Sequence, residues 1–246
     1  MQEARDYRLS LERSRKALMR EDRPSTFTMY GREWDLLPEV FAPIYSPATG
    51  ISMDFLGLTG EVEVPRSGSL LEIGCGTGII AVSAALAGAE RVVAADINPA
   101  AVLNAAANAA RHGVFSRVRT EQSDLFSGLD EEERFDTIFW HSNYVLAPED
   151  YRHRSMHERA YVDPGYEAHR RFLAEAPNRL APGGSILLHF STRGDLVTLL
   201  RIAGEADRRI RVLRSTVVRE GRHDVEHMLL EVTPAEVPSL RTAALR

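Results

Sequence analysis

The chain has 246 residues, 44% of them hydrophobic and 26% charged, with a formal net charge of -5; this balance suits one folded core and excludes disorder as the main state. One cysteine, Cys75, excludes an internal disulfide and a multi-thiolate zinc site, and points to a reducing, cytoplasmic setting. The charged opening stretch and the absence of any apolar run of roughly 18 residues exclude a signal peptide and a membrane partner, and the mild acidity gives no field that favours nucleic acid.

In chain order, residues 2–21 set Leu9, Leu11, Leu18 and Met19 among arginines and glutamates, which predicts a short amphipathic helix ended by Arg23-Pro24-Ser25. Thr26 to Tyr45 changes to aromatics and alternation around Gly31, the pattern of a hairpin, and a helix is expected over 48–58. After Gly60 the sequence falls into units of apolar strand, turn and alanine-rich helix, which is the signature of a parallel sheet covered on both faces. Strands are predicted at 69–73, 91–96, 118–122, 135–141 and 185–190, with helices at about 78–87, 99–111, 165–180 and 194–206. The tail adds extended stretches at 210–220 and 225–233 around the turn Gly221 to Asp224. With no helix-length segment between them, they are expected to pair as an antiparallel hairpin at the sheet edge.

The densest chemical signal is LLEIGCGTGIIAVSAA, residues 70–85. Gly74, Gly76 and Gly78 follow an apolar strand and open a helix, so the backbone can turn sharply and a ligand can approach without meeting a Cβ. A dinucleotide fingerprint would need glycine where the chain has Ile79, which disfavours NAD. Asp96 ends the next strand 18 residues beyond Gly78, where a carboxylate can accept from both hydroxyls of a ribose, and Ile97 follows it. Asp124, in QSDLF, ends the third strand and could receive an adenine amino group while Leu125 or Phe126 covers the ring. Each acid also serves as an ordinary cap or turn residue. Their recurrence at the carboxyl ends of successive strands favours a nucleoside-type site.

LLEIGCGTG, AADINP, QSDLF and RLAPGGSILL together resemble the successive motifs of class I S-adenosylmethionine-dependent methyltransferases over about residues 60–235. The resemblance implies a Rossmann-like α/β fold, a seven-stranded mostly parallel sheet with an antiparallel edge hairpin. It implies S-adenosylmethionine as cofactor and S-adenosylhomocysteine as product. Glu72 and the glycine loop of Gly74, Cys75, Gly76 and Gly78 would hold the methionine part, Asp96 and Ile97 the ribose side, and Asp124 with Leu125 the adenine. Residues 1–60 are then expected to form an N-terminal lid on the substrate side, and residues 61–246 the cofactor-binding catalytic domain.

FDTIFWHSNYVLAPED followed by AHRRFLAEAPNRLAPGGSILL is similar to the glutamine N-methyltransferases that modify release factors, in which the tetrapeptide reads Asn-Pro-Pro-Tyr. Here it reads His141-Ser142-Asn143-Tyr144, with only the tyrosine retained, and this departure points to a different, smaller acceptor, a metabolite with an amine or hydroxyl and a carboxylate. His141 is expected to act as general base, its ordinary pKa near 6.5 leaving it mostly neutral, with Asn143 orienting the acceptor and Tyr144 packing beside it. The arginine-, histidine- and tyrosine-rich insertion that follows is expected to overhang the pocket, with Tyr151, Tyr161 and Tyr166 on the substrate, while Tyr30 and Trp34 of the hairpin cap it. His153 and His157 stand four apart without an identifiable third ligand, so no metal is expected. The arginines of the tail hairpin read as a solvated strand face. Three alternatives share the cofactor: cyclisation of its aminobutyrate arm with release of methylthioadenosine, methylation of a protein glutamine, and non-catalytic binding.

Overall fold

The computed structural model describes residues 6–59 and 68–235. The expected domain boundary between residues 60 and 61, and residues 2–5 of the expected first helix, lie outside the described residues.

Helix α1 (Tyr7–Leu18) starts where the Asp6 side chain accepts the Arg8 N–H at 2.9 Å. Its buried face is Ser10, Ser14 and Ala17, while Leu9 remains exposed, so its docking is polar and not the leucine edge that the sequence suggested. Strands β1 (Thr26–Met29) and β2 (Arg32–Asp35) pair through a two-residue turn in which Tyr30 and Gly31 both have positive φ, 49° and 69°. That mirror-image turn matches the natural twist of a hairpin. Helix α2 (Ala48–Phe55) follows.

The units of strand and helix are β3 (Ser69–Ile73), α3 (Ile79–Leu86), β4 (Arg91–Asp96), α4 (Pro99–Arg111), β5 (Val118–Gln122) and β6 (Phe135–His141). The insertion after β6 carries two minimal strands, β7 (Leu146–Ala147) and β8 (Asp163–Pro164), which pair with each other. Next come α5 (Glu167–Glu175), β9 (Leu180–Ser191), α6 (Leu196–Glu205), β10 (Arg208–Glu220) and β11 (His223–Pro234). Helix α5 is shorter than the predicted 165–180 because Pro177, without an N–H, passes the chain into a 3₁₀ turn over Ala176–Arg179.

The seven-stranded sheet has the order β10-β11-β9-β6-β3-β4-β5, with β11 antiparallel to both neighbours and the β3, β4, β5, β6 and β9 pairings parallel. This is the expected Rossmann-like architecture. Strand order reverses between β3 and β6, and the crevice outside the carboxyl ends of strands at such a reversal is where open α/β sheets take ligands.

Two buried clusters cover the two faces. On one, Phe27, Trp34, Val40, Met53 and Phe55 from the N-terminal segment pack with Ile79, Ile80, Val82 and Ala105. On the other, Phe126, Trp140, Phe172, Phe190 and Leu199 pack together under α5 and α6. Each such large side chain contributes on the order of 1.5–3 kcal/mol by leaving water. The hairpin is also fastened by two fully buried asparagines of α4: Asn108 Oδ1 accepts Asp35 N–H at 2.7 Å and Asn104 Oδ1 accepts Leu37 N–H at 2.8 Å. Asn108 Nδ2 donates to Thr77 O at 2.8 Å, which joins hairpin, helix and glycine loop. No helix among the described residues is long and apolar enough to cross a membrane.

Candidate active site

A cavity of about 800 Å³ opens at the carboxyl ends of β3, β4, β5 and β6. Its first half is made mostly of backbone. Gly74, Gly76 and Gly78 have φ of 67°, 54° and 76°, a conformation that L side chains rarely adopt. Gly74, Cys75, Gly76 and Thr77 line the cavity, whereas Gly78 turns away from it: an added Cβ there would stand 2.7 Å from Ala105 Cα and Cβ. Gly78 therefore sets the close approach of α3 to α4 and does not line the wall.

Glu72 is buried at the end of β3, and its Oε2 accepts the Ala81 N–H in the first turn of α3 at 2.9 Å. Burial raises its pKa well above the usual carboxylate range. Asp96 ends β4 with Oδ2 accepting Gly76 N–H and Oδ1 accepting Asn98 N–H, each at 2.9 Å. Burial raises the Asp96 carboxyl too, against the backbone N–H groups that favour its charged form. A carboxylate has about four lone-pair sites, so both oxygens keep capacity for a ligand. Ile97, Ser123, Asp124 and Leu125 complete this wall. Asp124 is half-exposed, with Oδ2 3.1 Å from Arg171 Nη1.

The second half is built from side chains. His141 ends β6 and stacks on His189 of β9, ring centroids 4.3 Å apart and planes 9° from parallel. Ser52 Oγ of α2 lies 3.3 Å from His141 Nδ1 and 2.5 Å from His189 Nδ1. His189 Nε2 lies 2.9 Å from His227 Nδ1, and His227 Nε2 lies 2.8 Å from Glu220 Oε1. Arg193 pairs with the other Glu220 oxygen. Burial would raise the Glu220 carboxyl, but His227 and Arg193 hold it below its ordinary value. Asn143 donates through Nδ2 to Arg159 O at 2.9 Å and Val162 O at 3.0 Å, while its buried Oδ1 has no partner. Because both neighbours are carbonyls, the amide orientation is fixed.

A methyltransferase domain family matches residues 70–165. A protein of Methanocaldococcus jannaschii, provisionally named a protein N5-glutamine methyltransferase, is 33% identical over 175 residues, covering 70% of this chain and 83% of its own. The chain belongs to the class I S-adenosylmethionine-dependent methyltransferases. The release factor glutamine methyltransferase of Bordetella pertussis is 32% identical over 66% of this chain and 63% of its own, so the chain spans less than two thirds of that enzyme. A solved 16S rRNA N2 G1207 methyltransferase of T. thermophilus, in complex with AdoMet and guanosine, shares the fold with a TM-score of 0.57 and 22% identity over 84% of this chain and 49% of that one.

S-adenosylmethionine is thus the cofactor of this methyltransferase, and the cavity suits it: open backbone at Gly76, where an added Cβ would meet nothing within 4 Å, beside two strand-end acids. The expected small-molecule acceptor and the exclusion of nucleic acid are corrected. Relatives carry names of enzymes acting on protein glutamine and on ribosomal protein L11, and a neighbour in fold is named for rRNA. The cavity is lined not only by the sheet's carboxyl ends but also by α1 (Leu9, Glu12, Arg13) and the end of β10 with its turn (Arg219, Gly221, Arg222). Reading the tail arginines as a solvated face alone missed this.

Other expected contacts also move. Trp34 is fully buried against His112, ring centroids 4.3 Å apart, and donates to Met29 O at 3.2 Å; it fills the core and caps nothing. Tyr30 is exposed on the hairpin turn with its hydroxyl donating to Gly50 O. Tyr166 is fully buried, its hydroxyl bridging Tyr144 O at 2.6 Å and Asp195 N–H at 2.8 Å, so it braces the tetrapeptide from behind. Tyr151 bonds Glu158 at 2.8 Å and packs on Tyr7. Of the tyrosines expected at the substrate, Tyr161 lines the cavity, beside Phe41 at 5.4 Å. Tyr144 also lines it, stacked near His141, and burial raises its hydroxyl pKa. His153 bonds Val162 O while His157, on a 3₁₀ turn, bonds Ser14, so the two rings do not share a face. His141 departs from its expected pKa near 6.5: burial, then the charge of His227, pushes it down to about 3. Ser52, His189, His227 and Glu220 escaped the sequence reading. The one available signal was a histidine inside each of the apolar runs ILLHF and EHMLL, a residue that needs a partner when buried.

Proposed function

We propose that this methyltransferase transfers the methyl group of S-adenosylmethionine to the side-chain amide nitrogen of a glutamine carried by a protein. The carrying observation is Asn143, a residue of the cavity lining whose buried Oδ1 has no partner of its own. An orphaned carbonyl in such a place is unfavourable by about 1–3 kcal/mol until a donor arrives, and a substrate N–H is that donor. His141, neutral at pH 7 and lining the same wall, is a second acceptor at the strand end where the related enzymes carry asparagine. Two acceptors for the two hydrogens of a planar –NH₂ would hold the amide with its lone-pair face toward the methyl group. The relatives named for protein glutamine support the same class of acceptor.

In this reading Glu72 and the Gly74–Gly76 backbone hold the amino-acid end of the cofactor, Asp96 its ribose hydroxyls, and Asp124 with Leu125 its purine. The cofactor supplies an electrophilic methyl on a positively charged sulfur. The protein supplies alignment, which converts a bimolecular encounter into an oriented one.

The test is incubation with methyl-labelled S-adenosylmethionine and folded proteins or peptides displaying exposed glutamines, with fragmentation mass spectrometry to locate the label. Label on a glutamine side chain is expected. Label on RNA alone, or methylthioadenosine formed without any acceptor, overturns the reading.

A further inference from the structure

Behind His141 runs a row of polar groups that holding an amide does not by itself require. Ser52, His189 and His227 are each 0% exposed, and none of them lines the cavity. They come from α2, β9 and β11, and link ring to hydroxyl to ring over 3.3, 2.5 and 2.9 Å, ending 2.8 Å from a Glu220 oxygen. A carboxylate only accepts, so with His227 carrying a single ring proton the direction of every bond in the row follows. His227 donates from Nε2, so its Nδ1 accepts from His189 Nε2–H. His189 Nδ1 accepts the Ser52 hydroxyl, whose oxygen accepts from His141 Nδ1–H. His141 Nε2 is left as a bare lone pair.

Building on the amide acceptor proposed above, we infer that Ser52, His189, His227 and Glu220 form a proton relay that fixes His141 as an acceptor and carries the substrate's proton away from His141. As the N–CH₃ bond forms, the S–CH₃ bond breaks and its electron pair stays on sulfur. The amide proton passes to His141 Nε2, the His141 Nδ1 proton to Ser52 Oγ, the Ser52 hydroxyl proton to His189 Nδ1, and the His189 Nε2 proton to His227 Nδ1. One proton has left the substrate and one has arrived at His227. His227 then holds both ring protons beside the Glu220 carboxylate, as a buried acid steadies the charged histidine of a hydrolase triad. Passing the proton on matters because His141, pushed down to about 3, does not retain it near neutrality. It also moves positive charge away from the site at which the sulfonium loses its own. His141 is the catalytic residue in this scheme; Ser52, His189 and His227 are positioning residues.

The experiment uses the full chain with S-adenosylhomocysteine bound and nitrogen-labelled histidines, read by long-range nitrogen–proton NMR, which distinguishes the two imidazole tautomers. His141 is expected as the Nδ1–H form. In Ser52→Ala, a small change at a helical position that suits alanine, it is expected to become a mixture of both forms, with a cooperative thermal melt retained and cofactor KM unchanged. The same variant is expected to lower kcat by about 10- to 100-fold, and His227→Gln, which cannot carry the proton onward, to do likewise. An Nε2–H His141 in the parent protein, or Ser52→Ala within twofold of parental kcat, overturns the relay. The NMR readout needs no acceptor. An Nδ1–H His141 in a protein that leaves every glutamine peptide unmethylated would support the relay and remove the acceptor assignment.

Discussion

The two halves of the cavity are built by different means. On the cofactor side the wall is backbone held in left-handed turns, with Glu72 and Asp96 tied to N–H groups one or two residues from the loop or helix start. On the acceptor side His141 of β6 is backed by a network of side chains from α2, β9 and β11, none adjacent in sequence. Backbone geometry is specified locally and tolerates few substitutions. A side-chain network is specified only when the whole sheet has formed, and it can be retuned one residue at a time.

That contrast is open to attack from the largest effect down. Gly78→Val places a branched side chain at φ 76° and within 2.7 Å of Ala105; left-handed strain and overpacking together are expected to destabilise by about 2–5 kcal/mol in chemical denaturation. A tolerated valine would show that the loop is not held by its backbone. Asp96→Ala is expected to weaken S-adenosylmethionine binding by about 1.5–3 kcal/mol in calorimetry, the range for hydrogen bonds to a charged group. Asn143→Ala should do the converse, leaving cofactor affinity alone and lowering kcat/KM for the amide substrate by about 10- to 100-fold. If both variants weaken the cofactor equally, the division into halves fails.

The smallest effect concerns His157, whose pKa burial and the charge of Arg23 push down to about 4. Its folded value lies below that of a free imidazole, so the unfolded chain takes up the extra proton as pH falls. Stability from this group is therefore complete above about pH 6.5 and lost between there and about 4, by roughly 1.4 kcal/mol per pH unit. Urea unfolding of His157→Gln from pH 7 to 5 should show a shallower decline than the parent; equal slopes would remove His157 as the cause.

The fold was legible because strand, glycine turn and alanine-rich helix each carry a local signature, and β3 to β6 fall at the predicted residues. The cofactor wall was legible for the same reason, since Gly74, Gly76 and Asp96 sit where a strand must end. The acceptor wall was not. His189 and His227 lie in otherwise apolar strands, and nothing in either run reveals that they will meet across the β9–β11 pairing. Trp34 and Tyr166 misled in the opposite sense: their polar tips find backbone partners, so the rings vanish into the core.

Asn108 reaches both the β2 strand and Thr77 of the glycine loop, so the two share one fastening. Coupling of this kind runs both ways. A nucleoside settled against the loop will shield the N-terminal segment from trypsin at Arg20, and clipping that segment will loosen the grip on the nucleoside in return.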